Sequence, residues 1–505
     1  MGRRLVGGLL VGGVVLFTGE VVGTQTGAQP AADQHMPCAR VSSIALPDVK
    51  IASATAVPAA ATGAIRTPHC RVAGVIGSEI RFLLLLPDAW NHKFMMGGGG
   101  GYVGRIDNQA EASVNLGFAT AGTDTGHQGG LTDAAWALDN PERVVNFGYL
   151  AIHRTTEVAK AIVRSYYGSD ASHAYFSGCS NGGRQALMEA QRFPDDFEGI
   201  VAGAPALDFV GLAAQFIKDI QTLFPDEASL ASPMLPLALL KSGEAQIVDT
   251  CDALDGVKDG LIDDPRRCQI DVATLTGLTD AQKTALKILY AATPSRDGAL
   301  HPAQPVGGEG DGAGWPTWIT GGGFGSTAQS PSLRFAFGTQ FFKFFVFNDR
   351  SWDYRTYDFT NARKDARLAG AVLNATSPDL SVYKARGHKL MIWHGWSDPA
   401  LTALGSVKYY DQVHAADPGA REYFRMFMMP GVLHCAGGPG PDNADWTGAI
   451  VDWVENGKAP DRVVARKLGP GGAATRTRPL CPYPQHAQYK GGGSIDDAAN
   501  FQCKD

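Results

Sequence analysis

The stretch Ala174-Tyr175-Phe176-Ser177-Gly178-Cys179-Ser180-Asn181-Gly182-Gly183-Arg184 constrains the fold more than any other part of the chain. Short β-prone residues run into Gly-x-Ser-x-Gly, and Gln185-Ala186-Leu187-Met188-Glu189-Ala190 continues with good helix formers. Strand, tight turn and helix in that order read as a nucleophile elbow, which holds the Ser180 hydroxyl out beyond the end of a strand. With 62 Gly in 505 residues the pattern also arises by chance, so the context has to carry it. Apolar runs at 80–87, 117–122 and 199–205 read as further strands. A helix over 147–167 carries Val158, Ala161 and Ile162 as an apolar stripe. This alternation predicts an α/β fold with a mostly parallel sheet covered by helices on both faces.

The rhythm stops at Leu207. From there to about Thr376 the chain is irregular, aromatic and glycine-rich; it then resumes with strand-like runs at 389–394 and 423–428 around a helix near 407–410. Two readings fit, a separate domain or an insertion into the first. An insertion would sit as a lid above the carboxyl ends of the strands, where open α/β sheets bind ligands. The expected organisation is a first catalytic part at 33–206, a lid domain at 207–376 and a second catalytic part at 377–505.

Both returning strands end in polar turns, His394-Gly395-Trp396-Ser397-Asp398-Pro399 and Gly431-Val432-Leu433-His434-Cys435. The order Ser180, Asp398, His434 is the chain order of α/β-hydrolases. A serine hydroxyl is a weak nucleophile, so His434 would take its proton while Asp398 holds the imidazole. Against this, Asp398 could simply start a turn, His434 could be structural, and His394 is a rival base. The five glycines 97–101 are either a flexible surface loop or an oxyanion loop, since only glycine lets backbone N–H groups approach a substrate oxygen unhindered. In the second case the donors are Gly100, to within one residue, and Asn181.

A net charge of −6 with no Lys/Arg block excludes nucleic acid as a partner. Arg3 and Arg4 followed by an apolar run to Phe17 read as an export signal over 1–32; a membrane anchor is the alternative, but the run is short for a span. No other stretch is apolar enough to cross a membrane. A secreted or periplasmic location makes the even cysteine count informative. Position suggests Cys38–Cys70, Cys251–Cys268 around an acidic loop, and Cys481–Cys503 in the tail. That leaves Cys179 with Cys435, or else two buried free thiols. The loop from Cys251 to Asp264 clusters carboxylates of the kind that bind Ca²⁺, though not at EF-hand spacing, and a solvated acidic loop fits equally well.

These motifs together resemble the tannase/feruloyl esterase family of secreted α/β-hydrolases. The resemblance runs from about Cys38 to Cys503. It rests on Gly178-Cys179-Ser180-Asn181-Gly182-Gly183-Arg184, Cys251-Asp252-Ala253-Leu254-Asp255-Gly256-Val257-Lys258-Asp259-Gly260, His394-Gly395-Trp396-Ser397-Asp398, His434-Cys435 and Arg478-Pro479-Leu480-Cys481-Pro482-Tyr483-Pro484. It implies an α/β-hydrolase fold with a large inserted lid, a Ser180–Asp398–His434 triad and a Cys179–Cys435 disulfide beside it. It also implies a structural Ca²⁺ held by the side chains of Asp252, Asp255 and Asp259 and the carbonyls of Val257 and Leu261. The lid has a single cysteine pair, where family members with five disulfides carry another.

The implied activity is hydrolysis of small aromatic esters. Trp315, Trp318, Phe335 and Phe337 are candidates to stack on the acyl group. Terephthalate half-esters such as mono(2-hydroxyethyl) terephthalate would instead call for a pocket arginine, from among Arg334, Arg350, Arg355, Arg363 and Arg367. Arg334 and Phe335 are the substrate-binding candidates. The expectation is a hydroxycinnamate or hydroxybenzoate esterase, with terephthalate half-esters second. A serine peptidase and a non-catalytic aromatic-binding protein on the same fold are the more distant alternatives.

Overall fold

The computed structural model describes residues 35–505; the expected export signal at 1–32 lies outside them. In chain order the strands of the main sheet and the insert are β1 (Val49–Val57), β2 (His69–Ile76), β3 (Ile80–Pro87), β4 (Lys93–Gly97), β5 (Ala119–Thr123), β6 (His173–Cys179), β7 (Gly199–Gly203), β8 (Thr293–Ser295), β9 (Gly298–His301), β10 (Lys389–Gly395) and β11 (Phe424–Met429). One nine-stranded sheet has the order β1-β2-β3-β5-β4-β6-β7-β10-β11, and β8 and β9 form a separate hairpin. From β5 through β4, β6, β7 and β10 to β11 the strands run parallel, while β1, β2, β3 and β5 are joined antiparallel.

Alternation along the central strands sends side chains to two different cores. Phe94, Met96, Phe176, Ile200, Leu390 and Ile392 pack under the helices Ala151–Tyr167, Asn181–Arg192 and Ala403–Ala416. Their neighbours Met95, Tyr175, Val201 and Met391 meet Ile450 and Trp453 of the helix Trp446–Asn456 on the other face. Two covered faces explain why these strands read as continuous apolar runs.

The segment 38–67, rich in Ala, Ser, Pro and Thr and without a periodic pattern, contains β1. That strand pairs along its length with β2 at the sheet edge, and its residues are half-buried or exposed. A solvated edge strand needs no apolar run, so Val49-Lys50-Ile51-Ala52-Ser53-Ala54-Thr55-Ala56-Val57 shows no periodic signal.

Between β7 and β10 the chain leaves the sheet and carries the helices Phe209–Leu223, Leu237–Cys251, Asp280–Tyr290 and Leu333–Gln340 with the β8–β9 hairpin. These build a further core around Ile217, Leu240, Leu286, Trp315 and Phe341, which continues onto Tyr102 and Phe147. Four disulfides, Cys38–Cys70, Cys179–Cys435, Cys251–Cys268 and Cys481–Cys503, use every cysteine. Among the described residues no helix is long and apolar enough to cross a membrane.

Candidate active site

β6, β10 and β11 end on the same side of the sheet, and Ser180, Asp398 and His434 follow them in that order. Ser180 sits between β6 and the helix Asn181–Arg192 at φ +66° and ψ −124°. Such a backbone costs on the order of 1–3 kcal/mol and persists only where the surroundings dictate it. Here Ser180 N–H donates to the Gly203 carbonyl and Ala206 N–H to the Ser180 carbonyl, both at 3.0 Å. Cys179 N–H donates to Gln109 Oε1 at 2.7 Å. The glycine loop lies against this turn so closely that a Cβ on Gly98 would stand 2.6 Å from Gly182 Cα, and one on Gly182 2.4 Å from Gln109 Oε1.

His434 Nδ1–H donates to Asp398 Oδ2 at 2.8 Å. The Cys179–Cys435 bridge, with Cα atoms 6.0 Å apart, ties the residue before Ser180 to the residue after His434. Asp398 is fully buried and its Oδ1 accepts from Ala400 N–H (2.8 Å) and Leu401 N–H (2.9 Å). Burial alone would raise its pKa; the imidazoles of His434 and His394 outweigh burial and hold the carboxyl well below the usual range. His394 Nε2 faces two acceptors, Asp398 Oδ2 at 3.2 Å and the Leu401 carbonyl at 3.1 Å, so it carries the hydrogen, and Nδ1 takes one from Ser406 Oγ at 2.8 Å. His394 therefore braces Asp398 from behind and does not line the cavity beside Ser180.

The inserted segment grips the same turn. Gln304 Nε2 donates to the Asp398 carbonyl at 2.9 Å, and Arg334 Nε and Nη2 donate to the Pro399 carbonyl at 3.0 and 2.7 Å. Arg334 is fully buried, with its remaining donors on Asp219 and Gln304. Its expected role in substrate binding is thus corrected: the guanidinium is consumed inside the protein. Phe335 packs on Phe224 and Tyr354 and also stays out of the cavity.

Within the one-residue range expected for the oxyanion donor, Gly100 itself is engaged: its N–H donates to Asp107 Oδ2 at 3.0 Å. Gly99 N–H is taken by Gln185 Oε1 at 2.9 Å. The next residue, Gly101, lines the cavity with Ser180, and its N–H has no acceptor among the described residues. Asn181 opens its helix, where an N–H has no intrahelical partner. Its side chain donates to the Gly99 carbonyl at 2.9 Å and accepts from Arg184 Nε at 2.8 Å. Arg184 is itself fully buried, donating onward to the Gly148 and Phe147 carbonyls at 2.7 and 3.0 Å. Gln109, Gln185 and Arg184 thus fix both sides of the site, and nothing in their local sequence announces it.

The cavity at Ser180 and His434 is walled by Tyr102, Phe209, Phe216, Trp318, Phe337 and Phe341. Trp318 meets His434 edge-on at 4.9 Å and stacks on Phe337 at 6.1 Å between ring centroids. Phe209, Leu212, Ala213 and Phe216 recur at helical spacing and present one face of their helix to it; that stripe was readable in the sequence. Among the described residues no Lys, Arg, Asp or Glu lines this cavity.

The acidic loop folds on itself. Asp252 accepts from Asp259 and Gly260 N–H at 3.1 Å, Asp255 from Val257 N–H at 2.9 Å and Asp259 from Leu261 N–H at 3.1 Å. Arg478 pairs with Asp259, and a buried oxygen of Asp263, Oδ2, has no hydrogen-bond partner among the described residues. Arg478 faces Asp255, Asp259 and Asp263, with Arg267 and Arg476 also near them, and carboxylate oxygens are hard ligands of the kind a divalent cation such as Ca²⁺ takes.

The profile of the family described as "Tannase and feruloyl esterase" matches residues 63–504. The mono(2-hydroxyethyl) terephthalate hydrolase of Piscinibacter sakaiensis is 34% identical, over 89% of this chain and 87% of its own. A probable feruloyl esterase of Arthroderma benhamiae is also 34% identical, over 83% and 81%. Among solved structures, feruloyl esterase B from Aspergillus oryzae superposes with a TM-score of 0.80 at 28% identity, over 92% of this chain and 99% of that one.

Proposed function

The chain belongs to the tannase and feruloyl esterase family and is a carboxylic ester hydrolase, and on that premise we propose that it is an exported serine esterase for uncharged esters of hydroxycinnamic or hydroxybenzoic acids. Ser180 Oγ attacks the ester carbonyl as His434 Nε2 accepts its proton, and Asp398 holds the other nitrogen and stabilises the imidazolium. The N–H groups of Gly101 and Asn181 receive the oxyanion. His434 then protonates the departing alcohol. Water, deprotonated by the same imidazole, attacks the acyl-enzyme, and Ser180 leaves with its proton restored.

The observation that carries the substrate reading is the all-aromatic and aliphatic wall without a cation. An aromatic ring is well served by it, whereas a terephthalate half-ester would bring an ionised carboxylate with no counter-charge. Four disulfides support an oxidising compartment outside the cytoplasm. The lid role of the insert rests on Trp318, Phe337 and Phe341 facing Ser180. For the acidic loop, Asp252, Asp255 and Asp259 with the carbonyls of Val257 and Leu261 would hold Ca²⁺, which when bound neutralises the clustered carboxylates and has no part in the ester chemistry.

Parallel assays on methyl ferulate, methyl gallate and mono(2-hydroxyethyl) terephthalate test this. We expect kcat/KM for a methyl ester to exceed that for the half-ester by at least ~10-fold, and Ser180→Ala to lower turnover by roughly 10⁴-fold or more while the protein stays folded. Preference for the half-ester would overturn the substrate reading, and near-normal turnover by Ser180→Ala the nucleophile.

A further inference from the structure

A second cavity shares a wall with the first but differs from it in chemistry. Phe209 and Leu212 face Ser180, while Leu207, Asp208 and Val210, at the start of the same helix, line this other space of about 400 Å³. That is the size of a small-molecule site. Three cations reach it from two parts of the chain: Arg363 and Arg367 from the inserted segment, and Lys408 from the helix Ala403–Ala416 packed on the sheet. Among the described residues none of the three forms an ion pair with a carboxylate.

Deeper in, His301 on β9 is 5% exposed, and among the described residues neither ring nitrogen has a hydrogen-bond partner within 3.5 Å. Its nearest acid is Asp208, 3.6 Å from Nδ1. Asp208 is engaged as a helix cap, accepting from Gly211 N–H at 3.0 Å. One carboxylate, held by Gly211 and leaning on His301 and Lys408, therefore shares the cavity with three positive charges. Between them run apolar walls from Val210, Leu300 and Ala366.

Guanidinium and ammonium groups bind carboxylate oxygens through charge-assisted hydrogen bonds, an imidazole adds a directed polar contact, and the walls cover an apolar body. A bare inorganic anion would use the cations and leave the walls wet. We propose that this cavity is a second ligand site, separate from the esterase centre, that binds a small organic carboxylate with an apolar body. The acids that ester hydrolysis releases are of this class, which would let product bind without blocking Ser180.

Calorimetric titration of the full chain with ferulate, and separately with inorganic phosphate, tests the assignment. We expect ferulate to bind with Kd below ~1 mM, and Arg363→Ala/Arg367→Ala and, independently, Lys408→Met to weaken it at least about tenfold. These variants should keep kcat/KM for methyl ferulate within about twofold of wild type. Ferulate binding untouched by both variants, phosphate binding as tightly as ferulate, or no binding up to ~10 mM would each overturn the proposal. Failure of the esterase reading shows separately, as wild-type protein that does not hydrolyse methyl ferulate.

Discussion

A methyl group on Gly100 would meet nothing closer than Gln109 Nε2 at 3.5 Å, whereas on Gly101 it would stand 2.4 Å from the Leu131 carbonyl at φ +57°. We predict that Gly100→Ala changes kcat/KM less than about threefold and that Gly101→Ala lowers it ~10²-fold, because alanine keeps the N–H but the clash with Leu131 moves it off the oxyanion. Equal losses in steady-state assays would move the donor back to Gly100. The placement of Ser180, Asp398 and His434 at neighbouring strand ends was legible because each stands in a short motif after an apolar run. Which of five glycines keeps a free N–H was not, since Asp107 decides it by folding back. Arg334 misled for a related reason: an arginine reads as a surface or ligand group until Asp219, distant in sequence, is found beside it. Glu309 is equally hidden. Burial and then Glu244 push its pKa from 4.5 up to about 7, with Tyr290 and Gly307 donating to one oxygen. The folded chain therefore binds this proton more tightly than the unfolded one. Its stabilising share is complete below about pH 4.5 and is lost as pH rises to about 7. Glu309→Gln should flatten the stability profile between pH 5 and pH 7.5 by roughly 2–3 kcal/mol, as read by urea unfolding; an unchanged slope would refute this.

At the scale of elements, the turn after β10 is held by groups from the insert as well as by its own strand. Arg334→Met would leave Asp219 buried with only Lys218 nearby, at 3.4 Å, and should cost about 3–5 kcal/mol in thermal unfolding. Adding Asp219→Leu should recover much of that stability but little kcat/KM, because the Pro399 carbonyl still lacks its donors. Recovery of both together would mean that the pair serves folding alone. The parallel strands and their helices were readable from apolar runs and stripes, since burial on two faces leaves no other composition open to them. β1 escaped because an edge strand in solvent carries Ser, Ala and Thr as readily as Val. The insert read as irregular because glycine-rich stretches interrupt the period between its helices, although the stripe of Phe209, Leu212, Ala213 and Phe216 stood within it.

Over the whole molecule, the acidic loop joins the insert to the tail through Arg478 and Asp259. If the loop holds Ca²⁺, chelation should lower Tm by roughly 5 °C, reversed by calcium and not by magnesium, with kcat on the refolded protein unchanged; an unmoved Tm would exclude the site. The order of elements was legible here, because the sheet's rhythm visibly breaks and returns, while the way the insert packs back over Tyr102 and Phe147 was not. One further consequence concerns how such a chain is made. Cys179 and Cys435 lie 256 residues apart, with Cys251 and Cys268, 17 apart, between them. A chain produced from its N-terminus exposes the Ser180 thiol neighbour long before its partner exists, while the short loop closes early and at smaller entropic cost. Correct pairing thus requires Cys179 to wait through synthesis of the entire insert, and on the proposed mechanism hydrolysis cannot begin in a nascent chain that has not yet reached His434.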